Sequence, residues 1–247
     1  MKINIYPDPS SMGTAAAQFV AKKLISTINE NGTANLILAT GASQFSFLEA
    51  LKHYDGINWS QVTVFHLDEY IGLSDKHPAS FRRYLQERIL EAVKPGQVHY
   101  INGDFVPIAD EIKRYSDLLE NKETDLACIG IGENGHIAFN DPPVADFNDP
   151  LLIKKVELDQ ACRMQQVGEG WFKGIEDVPT HALTLTIPAI MKSKTISCVV
   201  PDERKAWAVK NTLEGPISTS CPASILRTHS YCHLFLDPLS ASQIRDS

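Results

Sequence analysis

The chain has 247 residues, 43% of them hydrophobic and 21% charged, and a formal charge of −7. Its length and composition fit an ordinary globular protein with one large α/β core, and the acidic balance argues against a nucleic-acid binder, which needs a basic face. No apolar run approaches the roughly 18–20 residues that span a bilayer. The opening Met1-Lys2-Ile3-Asn4-Ile5-Tyr6-Pro7-Asp8 turns polar at once, so the expectation is a cytoplasmic protein without a membrane partner.

In chain order, residues 2–6 read as a first strand, and Ser10 or Ser11 is the expected cap of a helix carrying Ala16, Phe19, Val20, Leu24 and Ile28 at helical spacing. Asn31-Gly32 stops that helix. Residues 34–38 form the next strand, which runs through Thr40-Gly41-Ala42-Ser43 into a helix with Phe45, Phe47, Leu48 and Leu51. Residues 62–67 are a β-branched and aromatic strand ending at Asp68-Glu69-Tyr70. A helix over 80–93, a short strand over 98–101 and a helix over 107–121 follow.

Asp125-Leu126-Ala127-Cys128-Ile129 has the apolar character of a strand buried on both faces. It enters Gly130-Ile131-Gly132-Glu133-Asn134-Gly135-His136-Ile137-Ala138-Phe139-Asn140-Asp141. Residues 141–150 are irregular, residues 153–158 an edge strand, and residues 160–173 a mixed segment with Gly168-Glu169-Gly170 as a loop or lid piece. Strands over 182–187, 195–200 and 231–236 complete the set, with a helix over 204–213 and a short one from Ser224.

Strands alternate with helices throughout, without repeat or linker. The expected fold is α/β: a single domain over 1–247 built on a doubly wound, mostly parallel, modified Rossmann-like sheet with helices on both faces. Five scattered cysteines (Cys128, Cys162, Cys198, Cys221, Cys232) without a CxxC pair predict buried free thiols and no metal. Trp59, Trp171 and Trp207 read as core or lid packing, and His66, His181, His229 and His233 as packing or surface residues.

In an open α/β sheet, ligands sit beyond the carboxyl ends of the strands, so the strand-end turns are the candidate site. Thr40-Gly41-Ala42-Ser43 offers amides, hydroxyls and a helix start, which suits a phosphate or is simply a small-residue packing turn. Adjacent carboxylates Asp68 and Glu69 after a buried strand are costly to desolvate unless one is raised in pKa or paired. Asp68 is thus a candidate base for a proton α to a carbonyl, or a cap, and Glu69 its structural partner. His136 is a proton carrier near neutral pH or a structural histidine, with Asn134, Asn140 and Asp141 placed to orient it. Arg204-Lys205 opens a helix, the wrong end for a cation by the dipole alone; Lys205 there either shares an anionic ligand with the helix amides or is an exposed lysine with no task.

Together these stretches resemble the glucosamine-6-phosphate deaminase (isomerase) family. The resemblance rests on Leu38-Ala39-Thr40-Gly41-Ala42-Ser43, Leu67-Asp68-Glu69-Tyr70-Ile71-Gly72-Leu73, the turn from Gly130 to Pro142, Val178-Pro179-Thr180-His181-Ala182-Leu183-Thr184, Lys205 with Leu213-Glu214-Gly215, and Pro222-Ala223-Ser224-Ile225-Leu226. It implies conversion of glucosamine 6-phosphate and water to fructose 6-phosphate and ammonia, with no cofactor. It also implies Asp68 as the C2-proton base, His136 as the ring-opening group with Asn134 and Asp141 in its relay, and Thr40, Gly41, Ala42, Ser43, Glu69 and Lys205 as substrate-binding residues.

Two departures are evident. Asp141 stands where the family has glutamate, so its reach to His136 is expected to be lost or bridged by water. The family's phosphate-binding arginine has no counterpart in Val167-Gly168-Glu169-Gly170-Trp171-Phe172, and Arg163 is the expected substitute. The rival readings are a 6-phosphogluconolactonase, disfavoured by Tyr70, Asn134 and Ile137-Ala138-Phe139-Asn140, and a non-catalytic sugar-phosphate sensor. The family includes monomers and hexamers, so the partners expected are an amino-sugar phosphate and possible further copies in a homo-oligomer. Residues 148–155, Lys154 and Lys155 included, do not match the family's effector-binding basic residues, which points to an unregulated enzyme.

Overall fold

Along the buried strands, successive side chains enter opposite layers, as the two-residue period of a strand demands. In the strand Ala34–Leu38, Leu36 and Leu38 pack into one core and Ile37 into the other. In Leu126–Ile129, Leu126 and Cys128 fall on the first side, Ala127 and Ile129 on the second. The computed structural model describes residues 1–245.

The elements are β1 (Lys2–Ile5), α1 (Pro9–Asn31), β2 (Ala34–Leu38), α2 (Phe45–Lys52), β3 (Val62–His66), β4 (Asp68–Tyr70), α3 (Phe81–Leu85), a π-helical turn (Gln86–Leu90), α4 (Glu91–Val93), β5 (Gln97–His99), α5 (Ile108–Glu120), β6 (Leu126–Ile129), β7 (Ile153–Glu157), α6 (Gln160–Gly168), β8 (His181–Leu185), α7 (Ile187–Met191), β9 (Thr195–Val200), α8 (Ala206–Glu214) and β10 (Cys232–Leu236). The central sheet has the order β1-β10-β9-β6-β2-β3-β5, and every pairing in it is parallel. From β2 the chain winds outward through β3 to β5, then returns to the other side of β2 with β6 and winds through β9 to β10. The strand order therefore reverses between β2 and β6, and a crevice opens there at the carboxyl ends.

One face of the sheet is covered by α1 and α2, through residues such as Met12, Val20, Leu24, Phe47 and Leu51. The other is covered by Tyr115 of α5, Ile190 of α7 and Val209 of α8. These layers match the expected doubly wound architecture. All five cysteines are buried and free. No helix among the described residues is long and apolar enough to cross a membrane.

Several local expectations are corrected. The cap of α1 is Asp8, whose carboxylate accepts from Ser11 N at 2.8 Å, with Pro9 in the first turn where its missing N–H costs nothing. Asp68-Glu69-Tyr70 is strand rather than loop. It forms β4 of a second, antiparallel sheet ordered β4-β8-β7, a long-range pairing that local sequence does not announce. Ile187 belongs to α7, capped by Thr186. Trp207 is 49% exposed, whereas Trp59 is buried and Trp171 packs against Phe45 and Tyr84. Among the histidines, His66 is buried and His233 stacks on Phe19 at 4.1 Å.

The small sheet is joined to the body by an aromatic cluster in which Tyr70 meets Phe81 at 4.9 Å, Phe139 at 5.3 Å and Phe172 at 5.5 Å. These rings come from β4, α3, the turn after β6 and the segment after α6, so one residue ties four pieces of the crevice wall together. The step from β3 to β4 is held by Tyr115. Its hydroxyl accepts from His66 N and donates to His66 O, both at 2.7 Å. Tyr115→Phe should leave the fold intact and lower stability by about 1–3 kcal/mol, because buried backbone groups lose their partner. Urea unfolding checks this through the midpoint at unchanged slope.

Candidate active site

A cavity of about 380 Å³ lies over the carboxyl ends of β2, β3, β6, β9 and β10. Of the residues singled out in the sequence, Thr40, Gly41, Ala42, Ser43, Asp68, His136 and Lys205 line it. Asn134 and Asp141 sit behind His136, while Glu69 and Arg163 lie elsewhere.

Asp68 and Glu69 are neighbours on a strand, so their side chains leave on opposite faces. Glu69 is fully buried and well supplied with donors: Ser80 Oγ at 2.9 Å, Arg82 N at 2.9 Å, Tyr70 N at 3.0 Å and Phe81 N at 3.2 Å. Arg82 Nε adds an ion pair at 3.4 Å. Burial raises its pKa, and the amides of Arg82 and Phe81 with the Ser80 hydroxyl offset that rise in part. Glu69 therefore organises the start of α3 and does not face the cavity, which corrects the expectation that it binds substrate. Asp68 is 6% exposed and accepts no hydrogen bond among the described residues. Burial, with the charge of Glu69 second, pushes its carboxyl well above the ordinary 3.8.

The turn after β6 is shaped around an imidazole. A Cβ at Gly132 would lie 2.1–2.4 Å from the His136 ring, and one at Gly135 (φ +84°) only 2.6 Å from Cys221 Sγ, so both positions require glycine. Ala138 is held at φ 52°, a strained value for a residue with a side chain. His136 Nδ1 lies 2.8 Å from both Asn134 Oδ1 and Asp141 Oδ1, and Asn134 Nδ2 donates to Asp141 Oδ1 at 2.8 Å. With Nδ1–H facing two acceptors, Nε2 is the nitrogen left for proton exchange. Burial favours the neutral acid of Asp141, but the charge and hydrogen bond of His136 and the bond from Asn134 outweigh it and hold the carboxyl below its usual value. The shortened carboxylate thus reaches His136 directly, and the expected loss or water bridge is not found.

Cys162 of α6 is a contact that the sequence did not point to. Its Sγ lies within 4.8 Å of the His136 and Asp141 ligand atoms, in the one cluster of three potential metal-ligand side chains among the described residues. The imidazole nitrogen in that cluster is already engaged by Asp141 and Asn134. Burial and the Asp141 charge keep the thiol protonated, while Asp141 Oδ2 stays buried without a hydrogen-bond partner among the described residues.

At the opposite end, Gly41 (φ +94°) turns the chain into a 3₁₀ segment, Ala42–Gln44, that continues into α2. Its first internal bond runs from Gln44 N to Gly41 O at 3.1 Å, so the amides before Gln44 are the free donors of a helix start. Tyr84 Oη donates to Gly41 O at 2.8 Å and pins the turn. Lys205 is 5% exposed, and burial lowers its pKa. Arg163, the expected stand-in for a phosphate-binding arginine, points away from the cavity. Its guanidinium donates to Ile175 O and, at 2.9 Å, to Val178 O, bracing the segment after α6. Arg204 lines the cavity instead, a position that the sequence marked only as a neighbour of Lys205.

Asp68 has a folded-state pKa above its unfolded value, so the folded state binds the proton more tightly. Stability is then lost as pH rises from 3.8 through the raised value, and the penalty is fully present above it. Asp68→Asn should raise Tm at neutral pH, each 1 kcal/mol relieved being worth about 2–4 °C for a chain of this size. The gain should vanish below pH 3.8, and calorimetry across pH checks both points.

A family model for glucosamine-6-phosphate isomerases/6-phosphogluconolactonase matches residues 7–152. A glucosamine-6-phosphate deaminase of Exiguobacterium sp. is 38% identical over 211 residues, covering 85% of this chain and 80% of that one. A protein of the same name from Bacillus thuringiensis is 36% identical over 229 residues, 93% and 84% of the two chains. Among solved structures, a monomeric glucosamine-6-phosphate deaminase superposes with a TM-score of 0.90 at 32% identity, over 98% of this chain and all of that one. A 6-phosphogluconolactonase from Shewanella baltica shares the fold alone, with a TM-score of 0.80 at 18% identity, covering 96% of this chain and 97% of that one. The chain belongs to the glucosamine-6-phosphate isomerase/6-phosphogluconolactonase family.

Proposed function

We propose that this protein is a glucosamine-6-phosphate deaminase, converting glucosamine 6-phosphate and water to fructose 6-phosphate and ammonia. The observation that carries the reading is chemical. One cavity is lined by a nearly dry carboxyl of raised pKa, an imidazole with its Nδ1 proton fixed, and a helix-start turn with a buried lysine. The deaminase relatives at 36–38% identity support the same activity.

The reaction begins with a closed pyranose, in which C2–H is not acidic. His136 Nε2 relays the anomeric hydroxyl proton to the ring oxygen, and the ring opens to an aldehyde at C1. Asn134 and Asp141 hold the imidazole in the tautomer this needs, and Asp141 stabilises it when it carries both protons. The C2 proton is then α to a carbonyl. Asp68 removes it while O1 takes a proton from the protonated 2-amino group, giving the enolamine, and Asp68 then returns its proton to C1, so that C2 becomes the imine carbon. Water adds at C2, and the amino group leaves as ammonia. The amides around Thr40-Gly41-Ala42-Ser43 and the Lys205 amine hold the phosphate away from the reacting carbons, which supplies orientation.

An unligated Asp68 is suited to this role because it has no hydrogen bond to break before accepting a proton. Glu69, by contrast, is fully engaged. The direct contact of Asp141 with His136 at 2.8 Å supports a working relay and favours the enzyme over the sensor reading. A homo-oligomer would appear by light scattering as a multiple of the 27.4 kDa chain.

Purified protein given glucosamine 6-phosphate should release ammonia and fructose 6-phosphate in equal amounts. Turnover of 6-phosphogluconolactone in its place would point to the lactonase branch, and sugar-phosphate binding without turnover to a sensor. Asp68→Asn should lower kcat by about 10²–10⁴-fold and abolish C2-proton exchange with solvent while sparing phosphate binding. Near-normal exchange in that variant would remove Asp68 from the base role. Because the base must be ionised and its pKa is raised by burial, kcat/KM should climb with pH along an acid limb displaced well above 3.8. A pH–rate profile measures the limb.

A further inference from the structure

The cations of the cavity's anion end stand in an unusual field of carboxylates. Lys205 and Arg204 both line the cavity, on the 3₁₀ turn Glu203–Lys205 between β9 and α8. The Lys205 amine has no acceptor among the described residues. Arg204 is fixed along one edge: Nε at 3.0 Å and Nη2 at 2.7 Å both donate to Asp202 Oδ2. Asp202 is itself held at φ 86°, with its other oxygen accepting Arg204 N at 3.0 Å, so the guanidinium is clamped to its own turn. The opposite edge is nearly free. Nη1 lies 3.7 Å from Glu133 Oε1, a long pair between side chains that are 47% and 37% exposed, which water screens.

The third carboxylate comes from the other wall. Glu169 follows α6 and lines the same cavity. It accepts from Gln165 Nε2 at 2.8 Å and Trp171 Nε1 at 3.2 Å, and its charge acts on both Lys205 and Arg204. Glu169 lines the cavity with both cations but forms no ion pair with either within 4.0 Å among the described residues, so its charge opposes entry of a dianion until that carboxylate withdraws. The remaining arginine of this wall, Arg163, is committed to backbone carbonyls.

We propose that Arg204 is a phosphate ligand of the sugar phosphate, offering its free Nη1 edge beside the Lys205 amine. In the same proposal, Glu169 is the counter-charge of the empty site that yields when phosphate enters. The inference rests on the sugar-phosphate reading above and assigns the residues that set affinity for the phosphate group. Asp202 pre-orients the fork, so little side-chain freedom is lost when the anion arrives. Glu169 acts in the opposite sense and makes affinity a difference between two charge pairings. Its withdrawal moves the segment that also carries Trp171, so phosphate binding and the position of that wall are coupled.

Calorimetric titration of the whole protein with inorganic phosphate tests this without requiring turnover, and KM for glucosamine 6-phosphate tests it in the reaction. Arg204→Met should weaken phosphate binding and raise KM by about tenfold, the loss expected for one charge-assisted contact. Arg204→Lys, which keeps the charge without the fork, should fall between. Glu169→Gln should tighten phosphate binding several-fold and lower KM. Unchanged phosphate affinity in Arg204→Met, with a normal melting profile, would overturn the assignment of Arg204. Equal or weaker affinity in Glu169→Gln would overturn the role of Glu169. If wild type fails to turn over glucosamine 6-phosphate yet Arg204→Met loses phosphate affinity, the ligand assignment stands and the substrate reading falls. If wild type turns it over and both variants match it, the reverse holds.

Discussion

A carboxyl group removed from water without a hydrogen-bond partner is among the costlier things a fold can contain. Asp68, only 6% exposed at the cavity wall and without a hydrogen bond among the described residues, approaches that condition, and much of the structure around it holds it there. The step from β3 to β4 is fastened by the Tyr115 hydroxyl on both backbone groups of His66. The two-residue alternation of β4 then sends Asp68 to the cavity and Glu69 to the start of α3. There, three amides, a hydroxyl and Arg82 carry the second charge. Two adjacent acids thus have opposite fates, one satisfied in full and one left without a partner. The difference between them is what makes a base.

The same opposition of supply and withholding recurs at the other two parts of the site. The imidazole of His136 is heavily constrained at Nδ1, by Asn134 and Asp141, and fits only because Gly132 has no side chain in its way. At the anion end, the amides of the turn after β2 and the Lys205 amine lack acceptors among the described residues, whereas Arg204 is clamped to Asp202 along one edge and open along the other. Glu69 and the Nδ1 side of His136 are well supplied with partners, whereas Asp68 and Lys205, which line the cavity, have none among the described residues. Such unmet capacity destabilises the empty protein, and a ligand that meets it binds for that reason.

All of these groups converge because the sheet reverses its winding between β2 and β6. Five strand ends contribute to one cavity, and the small antiparallel sheet β4-β8-β7 closes one side of it. The aromatic cluster around Tyr70 binds that side wall to the turn bearing His136, so the base and the imidazole are referenced to the same packing.

Much of this was legible in the chain itself. Apolar runs such as 125–129 and 195–200 are strands because residues buried on both faces leave no polar alternation, and the glycines at 132 and 135 marked a turn. Adjacent acids after a buried strand, and a histidine among asparagines, were visible as chemistry. The local sequence did not contain the pairings made across distance. Asp68 to Tyr70 form a strand only because β8 arrives from more than a hundred residues away. Arg163 is diverted by carbonyls of a segment that folds back on it, and Asp141 reaches His136 because the turn brings the two closer than side-chain length alone suggests. Residue type and period determine which groups exist and which elements carry them. Which of those groups is left unpartnered at the cavity is decided by tertiary contacts, because hydrogen bonds and desolvation depend on neighbours that sequence order does not specify.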